Sequence, residues 1–203
     1  MIVAAFVAGY FIGSIPTAAF LADLRAIDLR SEGSGNPGTN NALRIGGPLL
    51  AASVLVVEVT KGYAAVWVGF SIGGELGAVA GGIAAVAGNV FNVWYRFSGG
   101  KGLGISLGVL AAAWPWVVPV LVTLIAIFAL ATRSAGLAAL IAMAGLVMAS
   151  YTWPAQNWTT GGLADTGPRL AVLAVGMTAI MGWKHWRDSP LNPSWRPERI
   201  TRA

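Results

Sequence analysis

Six long apolar runs constrain the fold of this chain more than any other feature. They cover residues 2–21, 48–72, 76–95, 103–130, 136–153 and 170–183. A membrane-spanning helix needs about 20 predominantly apolar residues, and most of the runs approach or exceed that length. Charged residues make up only 10% of the chain, whereas soluble domains carry roughly 25%. The sequence therefore predicts an all-α integral membrane protein that is surrounded by lipid bilayer.

The run at 103–130 divides into two helices, because it contains Trp114, Pro115, Trp116 and Pro119. Prolines end helices and tryptophans favour the membrane–water interface, so we predict two short helices meeting near 114–119 and about seven transmembrane helices in all. If the loop at 23–47 is inside, seven spans put most basic residues on the cytoplasmic side: Arg25, Arg30, Arg44, Arg96, Lys101, Arg133, Lys184, Arg187, Arg196, Arg199 and Arg202. The positive-inside rule then predicts the N-terminus outside and the C-terminus in the cytoplasm.

The same pattern predicts one transmembrane domain, residues 1–189, followed by a basic, proline-containing cytoplasmic tail at 190–203. The chain has no cysteine and one histidine, which excludes disulfides, thiolate metal sites and multi-histidine metal sites. Its net charge of +5 is interpreted as cytoplasmic bias toward anionic lipid rather than as nucleic acid binding.

A polar, glycine-dense loop at 33–44 separates the first two apolar runs. Gly33 and Gly35 permit tight turns and close approach to a ligand. Ser34 and Asn36 offer neutral donors, and Arg44 offers a forked cation suited to phosphate. A simple connection needs only about four to six residues. This loop therefore predicts an anion site at the membrane surface.

Two further elements are predicted on the same cytoplasmic face. Gly99, Gly100, Lys101 and Gly102 precede a helix, where backbone N–H groups, the helix dipole and a lysine suit a phosphate. Alone, this segment is more often a turn with one topology-setting lysine. His185 follows the last span, where a histidine is more often structural than functional. With a near-neutral pKa it would serve as a general base or a phosphate donor.

The remaining charged and aromatic residues have structural interpretations. Glu58 and Lys61 lie three residues apart inside a predicted span, so they are expected to pair, and an architectural role is favoured. Glu75 and Asp165 are expected in external loops. The tryptophans are mostly interpreted as anchors at the membrane interface.

Together these segments resemble the PlsY family of bacterial membrane glycerol-3-phosphate acyltransferases over nearly the whole chain. The first motif is Gly13-Ser14-Ile15-Pro16, then Asp28-Leu29-Arg30 and the 33–38 loop. The second is Phe97 followed by 99–102, and the third is the basic segment around His185. Several positions differ from the family pattern. The family's Gly-Ala-Thr-Asn reads Gly38-Thr39-Asn40-Asn41, and its Gly-His-x-x-Pro reads Gly88-Asn89-Val90-Phe91-Asn92. Asp188 stands where the family has asparagine, and the arginine that follows in the family's third motif is out of register.

The resemblance implies acyl transfer from acyl phosphate to glycerol 3-phosphate, giving lysophosphatidic acid for phospholipid synthesis, without a cofactor and without an acyl-enzyme. It implies catalytic roles for Ser34, Lys101 and His185. It implies substrate or phosphate binding by these residues: Gly33, Ser34, Gly35, Asn36, Asn41, Arg44, Gly99, Gly100, Lys101, Gly102 and Asp188. The implied location is the bacterial cytoplasmic membrane with the site facing the cytoplasm. The alternative is a catalytically silent or acceptor-altered paralogue that binds a phosphorylated lipid precursor.

Overall fold

The computed structural model describes residues 1–164 and 167–194, and every regular element in those ranges is helical. The helices are α1 Ile2–Ser14, α2 Thr17–Asp23, α3 Thr39–Val90, α4 Leu103–Ala113, α5 Val117–Thr132, α6 Ala135–Ala155 and α7 Pro168–Arg187, with a single 3₁₀ turn at Val93–Tyr95. The break predicted near 114–119 is confirmed, since α4 ends at Ala113 and α5 begins at Val117. Asp165 and the predicted tail residues 195–203 lie outside the described residues.

The first apolar run forms two helices rather than one. Pro16 has no backbone N–H, and the residue before a proline is pushed out of the helical region. Ile15 accordingly has φ −56° and ψ 122°, which is extended backbone. The chain therefore breaks between α1 and α2 at the position of the Gly-Ser-Ile-Pro motif.

Helix α3 is broken at two glycine positions. Gly47 has φ +76° just before Pro48, and Gly74 has φ +59°, a left-handed backbone that glycine adopts without strain. The segment is thus three stretches, 39–46, 48–72 and 75–90. The last two pack antiparallel, because a Cβ at Gly69 would collide with the carbonyl oxygen of Gly77.

Small residues let the helices approach to backbone contact. A Cβ at Gly13 in α1 would collide with the carbonyl oxygen of Ala85, and one at Gly108 in α4 would collide with that of Val59. Without a hydrophobic driving force between lipid-facing helices, such close van der Waals packing is what holds them together. The 48–72 and 75–90 stretches thereby form the centre against which α1 and α4 pack.

The tryptophans divide between the surface and the core. Trp114 is completely buried, with its ring edge-to-face against Trp153 at a centroid distance of 5.3 Å. The interface-anchor prediction is therefore wrong for Trp114, because the turn between α4 and α5 folds inward. Six others are exposed: Trp67, Trp94, Trp116, Trp158, Trp183 and Trp186.

Three helical stretches in the described ranges are long and apolar enough to cross a membrane by length and composition: Ile2–Asp23, Thr39–Tyr95 and Ala135–Ala155. Two apolar helices, Leu103–Ala113 and Val117–Thr132, are shorter. The seven-span count and the orientation of the termini stay predictions.

Candidate functional site

A cavity of about 880 Å³ brings together predicted site residues from three distant parts of the sequence. Its lining includes Ser34, Asn36, Asn41, Arg44, Gly100, Lys101, Gly102, His185 and Asp188. Gly35 and Gly99 line a smaller neighbouring cavity of about 270 Å³. Lys101 and Asp188 border both cavities.

Asn41 shapes the 33–38 loop from within. Its side-chain amide donates to the carbonyl oxygens of Leu29 (2.9 Å) and Glu32 (3.0 Å), and its Oδ1 accepts from the Ser34 N–H at 2.8 Å. Gly33 has φ +61°, and a Cβ there would collide with Asn41 Oδ1. Both Asn41 amide protons are therefore used in holding the loop, and Gly33 is required for its close packing on that side chain.

The amide groups of the second glycine loop are already hydrogen bonded. Gly99 N donates to the Val90 carbonyl at 3.1 Å, and Gly100 N donates to the Asn89 carbonyl at 3.0 Å. The expectation that these two amides bind phosphate directly is not met in this structure, because the loop folds back on the end of α3. The loop contributes Gly100, Lys101 and Gly102 to the cavity lining, next to the start of α4.

Lys184 fixes this loop to α7, a role that the sequence analysis did not predict. Its Nζ donates to the carbonyl oxygens of Gly99 (2.7 Å), Gly100 (2.9 Å) and Val90 (3.1 Å), and the residue is buried. In the sequence, Lys184 comes directly after Trp183, at which the last predicted span ends. Burial, together with the charges of Arg187 and Lys101, lowers the pKa of Lys184 to about 8.

His185 is a buried residue of the cavity wall with unused hydrogen-bonding capacity. It is only 4% exposed, and neither ring nitrogen makes a hydrogen bond of ordinary geometry to the described residues, although the Lys101 backbone faces the ring. Burial, reinforced by the positive charge of Lys101, lowers the pKa of His185 to about 4. The near-neutral pKa expected from the sequence is therefore wrong, since water is excluded from the ring. His185 is neutral at physiological pH.

Lys101 and Asp188 form an ion pair across the cavity, between Nζ and Oδ2. Asp188 also accepts from Arg187 Nε at 3.4 Å. Partial burial raises the pKa of Asp188, but the hydrogen bond and charge of Lys101 outweigh that effect, so the pKa lies below its ordinary value. The carboxylate is therefore ionised beside the predicted phosphate site.

A buried polar cluster forms one side of the cavity. The predicted pair is confirmed, with Lys61 Nζ 3.0 Å from Glu58 Oε1. Thr17 donates to the same oxygen at 3.0 Å, and Asn89 Nδ2 donates to Glu58 Oε2 at 2.6 Å. Glu58 and Asn89 both line the cavity. A charged residue inside an apolar run was the sequence signal for this cluster, but its position at the site was not predicted.

The cavity is positive in several independent ways. The first residues of α3, α4 and α6 lie in its wall, and helix N-termini carry partial positive charge. The cationic residues in the lining are Arg44, Lys101, Arg133 and Arg187. Within residues 1–164 and 167–194 there is no group of three or more His, Cys, Asp or Glu that could hold a metal ion. The arrangement suits an organic anion, above all a phosphate.

Comparison with known proteins identifies the family. A sequence model of the family described as glycerol-3-phosphate acyltransferase matches residues 3–190. The chain belongs to this family. A glycerol-3-phosphate acyltransferase of Brucella anthropi is 40% identical over 186 residues, covering 91% of this chain and 86% of that protein. A glycerol-3-phosphate acyltransferase 1 of Rhizobium johnstonii is 37% identical over 183 residues, covering 90% and 83%.

Solved structures of a glycerol-3-phosphate acyltransferase share the fold. The glycerol 3-phosphate form of PlsY (YgiH), an integral membrane enzyme, superposes with a TM-score of 0.75 at 24% identity, over 91% of this chain and 88% of that one. Its lysophosphatidic acid form gives a TM-score of 0.72 at 23% identity. The predicted family resemblance and the all-α, integral membrane fold are confirmed.

Proposed function

We propose that this glycerol-3-phosphate acyltransferase family member transfers an acyl group from acyl phosphate to glycerol 3-phosphate. The products are lysophosphatidic acid and inorganic phosphate, in phospholipid synthesis. The observation that carries the proposal is the single cavity in which Arg44, Lys101 and His185 meet. A reaction between two phosphate-bearing substrates needs several cations around one space, and this cavity has them.

Each residue is assigned by its place in the cavity. Ser34, Asn36 and Arg44 hold the phosphate of glycerol 3-phosphate, and Lys101 at the start of α4 holds the phosphate of the donor. The neutral ring of His185 has free hydrogen-bonding capacity, so we assign it to orienting the acceptor hydroxyl. Asn41 and the glycines Gly33, Gly35, Gly99, Gly100 and Gly102 shape the two loops, and Asp188 contacts Lys101.

The proposed step needs no cofactor and no acyl-enzyme. The glycerol hydroxyl oxygen attacks the carbonyl carbon of the acyl phosphate and forms an ester bond. The bond from that carbon to the phosphate oxygen breaks, and phosphate leaves with the electron pair. The hydroxyl proton passes to phosphate or to water. Holding two anions in one orientation against fixed cations supplies much of the acceleration.

The topology proposed with this function has about seven spans, with the N-terminus outside and the C-terminus in the cytoplasm of a bacterial cell. Residues 1–189 form the transmembrane domain, and a basic tail begins at 190. Asn192 and Ser194 at the start of that tail line the cavity, which supports a tail that lies beside the proposed substrates. The site then opens toward the cytoplasm, where both water-soluble anions are available.

The test is turnover by the purified protein. With acyl phosphate and glycerol 3-phosphate, we expect release of phosphate and formation of lysophosphatidic acid. Lys101→Ala is expected to lose about 100-fold in kcat/KM, since one preorganised cation is removed, and His185→Ala is expected to lower kcat. Arg169→Gln, at a cation outside the cavity lining, is the matched control. Turnover of wild type no higher than that of Lys101→Ala would overturn the proposal.

One second function has a specific observation in its favour. The Asp188 carboxylate already pairs with the Lys101 ammonium, and the Asn89 side chain donates a hydrogen bond to Glu58. A silent or acceptor-altered paralogue would bind a phosphorylated lipid precursor without acylating glycerol 3-phosphate. Binding of glycerol 3-phosphate without turnover, with activity gained in Asp188→Asn or Asn89→His, would select this alternative. Acylation of another polyol phosphate would instead identify a different acceptor.

A further inference from the structure

Asp188 lies where an incoming phosphate would be expected to bind. Its carboxylate is paired with the Lys101 ammonium, and both side chains are about one-third exposed, so the pair faces the open cavity. A carboxylate on a lysine makes the same charge-assisted hydrogen bond that a phosphate oxygen makes. An internal anion therefore holds the cation assigned to the substrate.

The backbone around Asp188 is held in place. Asn192 Nδ2 donates to the Arg187 carbonyl at 2.9 Å, and Ser189 Oγ donates to the Trp186 carbonyl at 2.8 Å. At the start of α6, a Cβ at Gly136 would lie 2.5 Å from the Asp188 carbonyl oxygen. These contacts fix the end of α7, so the pair separates by rotation of the Asp188 and Lys101 side chains and not by movement of the α7 backbone.

Asp188 is the acidic residue of the lining that competes for the cations of the cavity. Two acidic residues are found in the lining, Glu58 and Asp188. Glu58 is neutralised by Lys61 and hydrogen bonded by Thr17 and Asn89. Asp188 is held by Lys101 and Arg187, both of which are themselves in the lining. It consequently engages the cations that would otherwise meet a ligand.

We propose that Asp188 is a built-in competitor for anions at Lys101, so that a phosphate has to displace its carboxylate in order to bind there. This inference rests on the proposed function and adds a regulatory contact to the same site. Free inorganic phosphate, which has no further groups to reach the rest of the cavity, competes poorly with a tethered carboxylate. The acyl phosphate donor, whose phosphate is assigned to Lys101, also has an acyl group that contacts the rest of the cavity, so it competes better. The contact thus disfavours free inorganic phosphate, which is one product of the proposed reaction.

The experiment compares wild type with Asp188→Asn, which keeps the shape of the side chain and removes its charge. Titration calorimetry on the detergent-solubilised protein measures the Kd of inorganic phosphate and of glycerol 3-phosphate. We expect Asp188→Asn to bind inorganic phosphate about two- to fivefold more tightly, since exposed ion pairs contribute up to about that factor. The gain for glycerol 3-phosphate is expected to be smaller. Asp188→Ser is a second variant that also removes the charge.

Two controls separate competition from a structural effect. In a Lys101→Gln background, Asp188→Asn is expected to lose most of its gain, because no lysine remains to be released. Glu75→Gln breaks an ion pair with Arg169 of similar exposure, and neither residue lines the cavity, so its Kd is expected to match wild type. Unchanged or weaker phosphate binding by both Asp188 variants would overturn the inference.

The outcome is independent of turnover. A protein that acylates nothing but binds phosphate more tightly after Asp188→Asn refutes the proposed function and keeps the inference. A protein with full acyltransferase activity, in which Asp188→Asn leaves phosphate affinity unchanged, supports the proposed function and refutes the inference.

Discussion

A buried ammonium group, that of Lys184, organises the loop next to the cavity. Its three donors go to three backbone carbonyls, two of them in the Gly99–Gly100 segment. Buried carbonyls left without a donor each cost about 1–3 kcal/mol. The position of Lys101, the next residue in the chain, therefore depends on a side chain that is not part of the lining of the larger cavity.

We predict that Lys184→Met raises KM for the phosphate substrates at least about tenfold, because a loop held less tightly misplaces Lys101. Steady-state kinetics on the purified protein measures this. Lys184→Arg keeps a donor for the carbonyls and is expected to recover part of the affinity. A variant that loses only thermal stability while KM stays at the wild-type value would contradict the positioning role.

His185 makes stability depend on pH. Its pKa is about 4 in the folded protein, against 6.5 ordinarily. Between pH 4 and 6.5 the unfolded chain binds more protons at this residue than the folded protein does. The free energy of unfolding therefore falls as the pH falls from about 6.5 to about 4. Above about pH 7 the residue is neutral in both states and has no effect on the pH dependence of stability. We predict that His185→Gln loses less thermal stability than wild type between pH 7 and about pH 4.5, by up to about 3 kcal/mol. Thermal unfolding at each pH measures these losses, and equal losses in wild type and His185→Gln would contradict the prediction.

At the scale of helices, glycines set how closely neighbours pack. A Cβ at Gly108 would enter the backbone of Val59, whereas a Cβ at Gly182 in α7 would meet no atom of the described residues within 4 Å. The two residues are both helical, so substitution by alanine changes helix propensity equally. The difference in the free energy of unfolding between the two alanine variants therefore measures the contribution of packing.

We predict that Gly108→Ala costs about 1–3 kcal/mol through overpacking between α4 and the 48–72 stretch of α3. Gly182→Ala is expected to be neutral or to stabilise by about 0.5–1 kcal/mol, since alanine is the better helix former. Thermal unfolding of the two variants in the same detergent measures both. A melting temperature for Gly108→Ala as high as that of Gly182→Ala would contradict this account of the packing.

For the whole molecule, the orientation in the membrane decides which solution reaches the cavity. The chain contains no cysteine, so single cysteines can be introduced without background labelling. Arg25, after α2, and Gln156, after α6, are both exposed, and the proposed topology puts them on opposite sides.

We predict that a membrane-impermeant maleimide labels Gln156→Cys in intact cells, and labels Arg25→Cys only after the membrane is opened. The positive-inside distribution of arginine and lysine is the physical reason. Opening the membrane should make both sites reactive, which serves as the internal control. Labelling of Arg25→Cys in intact cells would reverse the proposed orientation.

Much of the helix pattern could be predicted from the sequence because its breaks have local causes. Pro115 and Pro119 end α4 and begin α5 through their missing N–H groups, wherever the rest of the chain lies. Pro16 has the same local effect but was missed within an otherwise continuous apolar run. The pairing of Glu58 with Lys61 was predictable for the same local reason, since three residues along a helix place both on one face.

The sequence alone determined that the chain is helical and apolar and that basic and glycine-rich segments flank the helices. It also determined that these segments, in their order along the chain, resemble those of a known family. Only the tertiary structure decided that Trp114 is buried, that Lys184 holds the second glycine loop and that Asp188 pairs with Lys101. The physical reason is that membrane helices are apolar on every side, so their sequence does not mark the face that packs. Contacts between distant helix ends follow from backbone-to-backbone packing at glycines, which depends on the whole assembly.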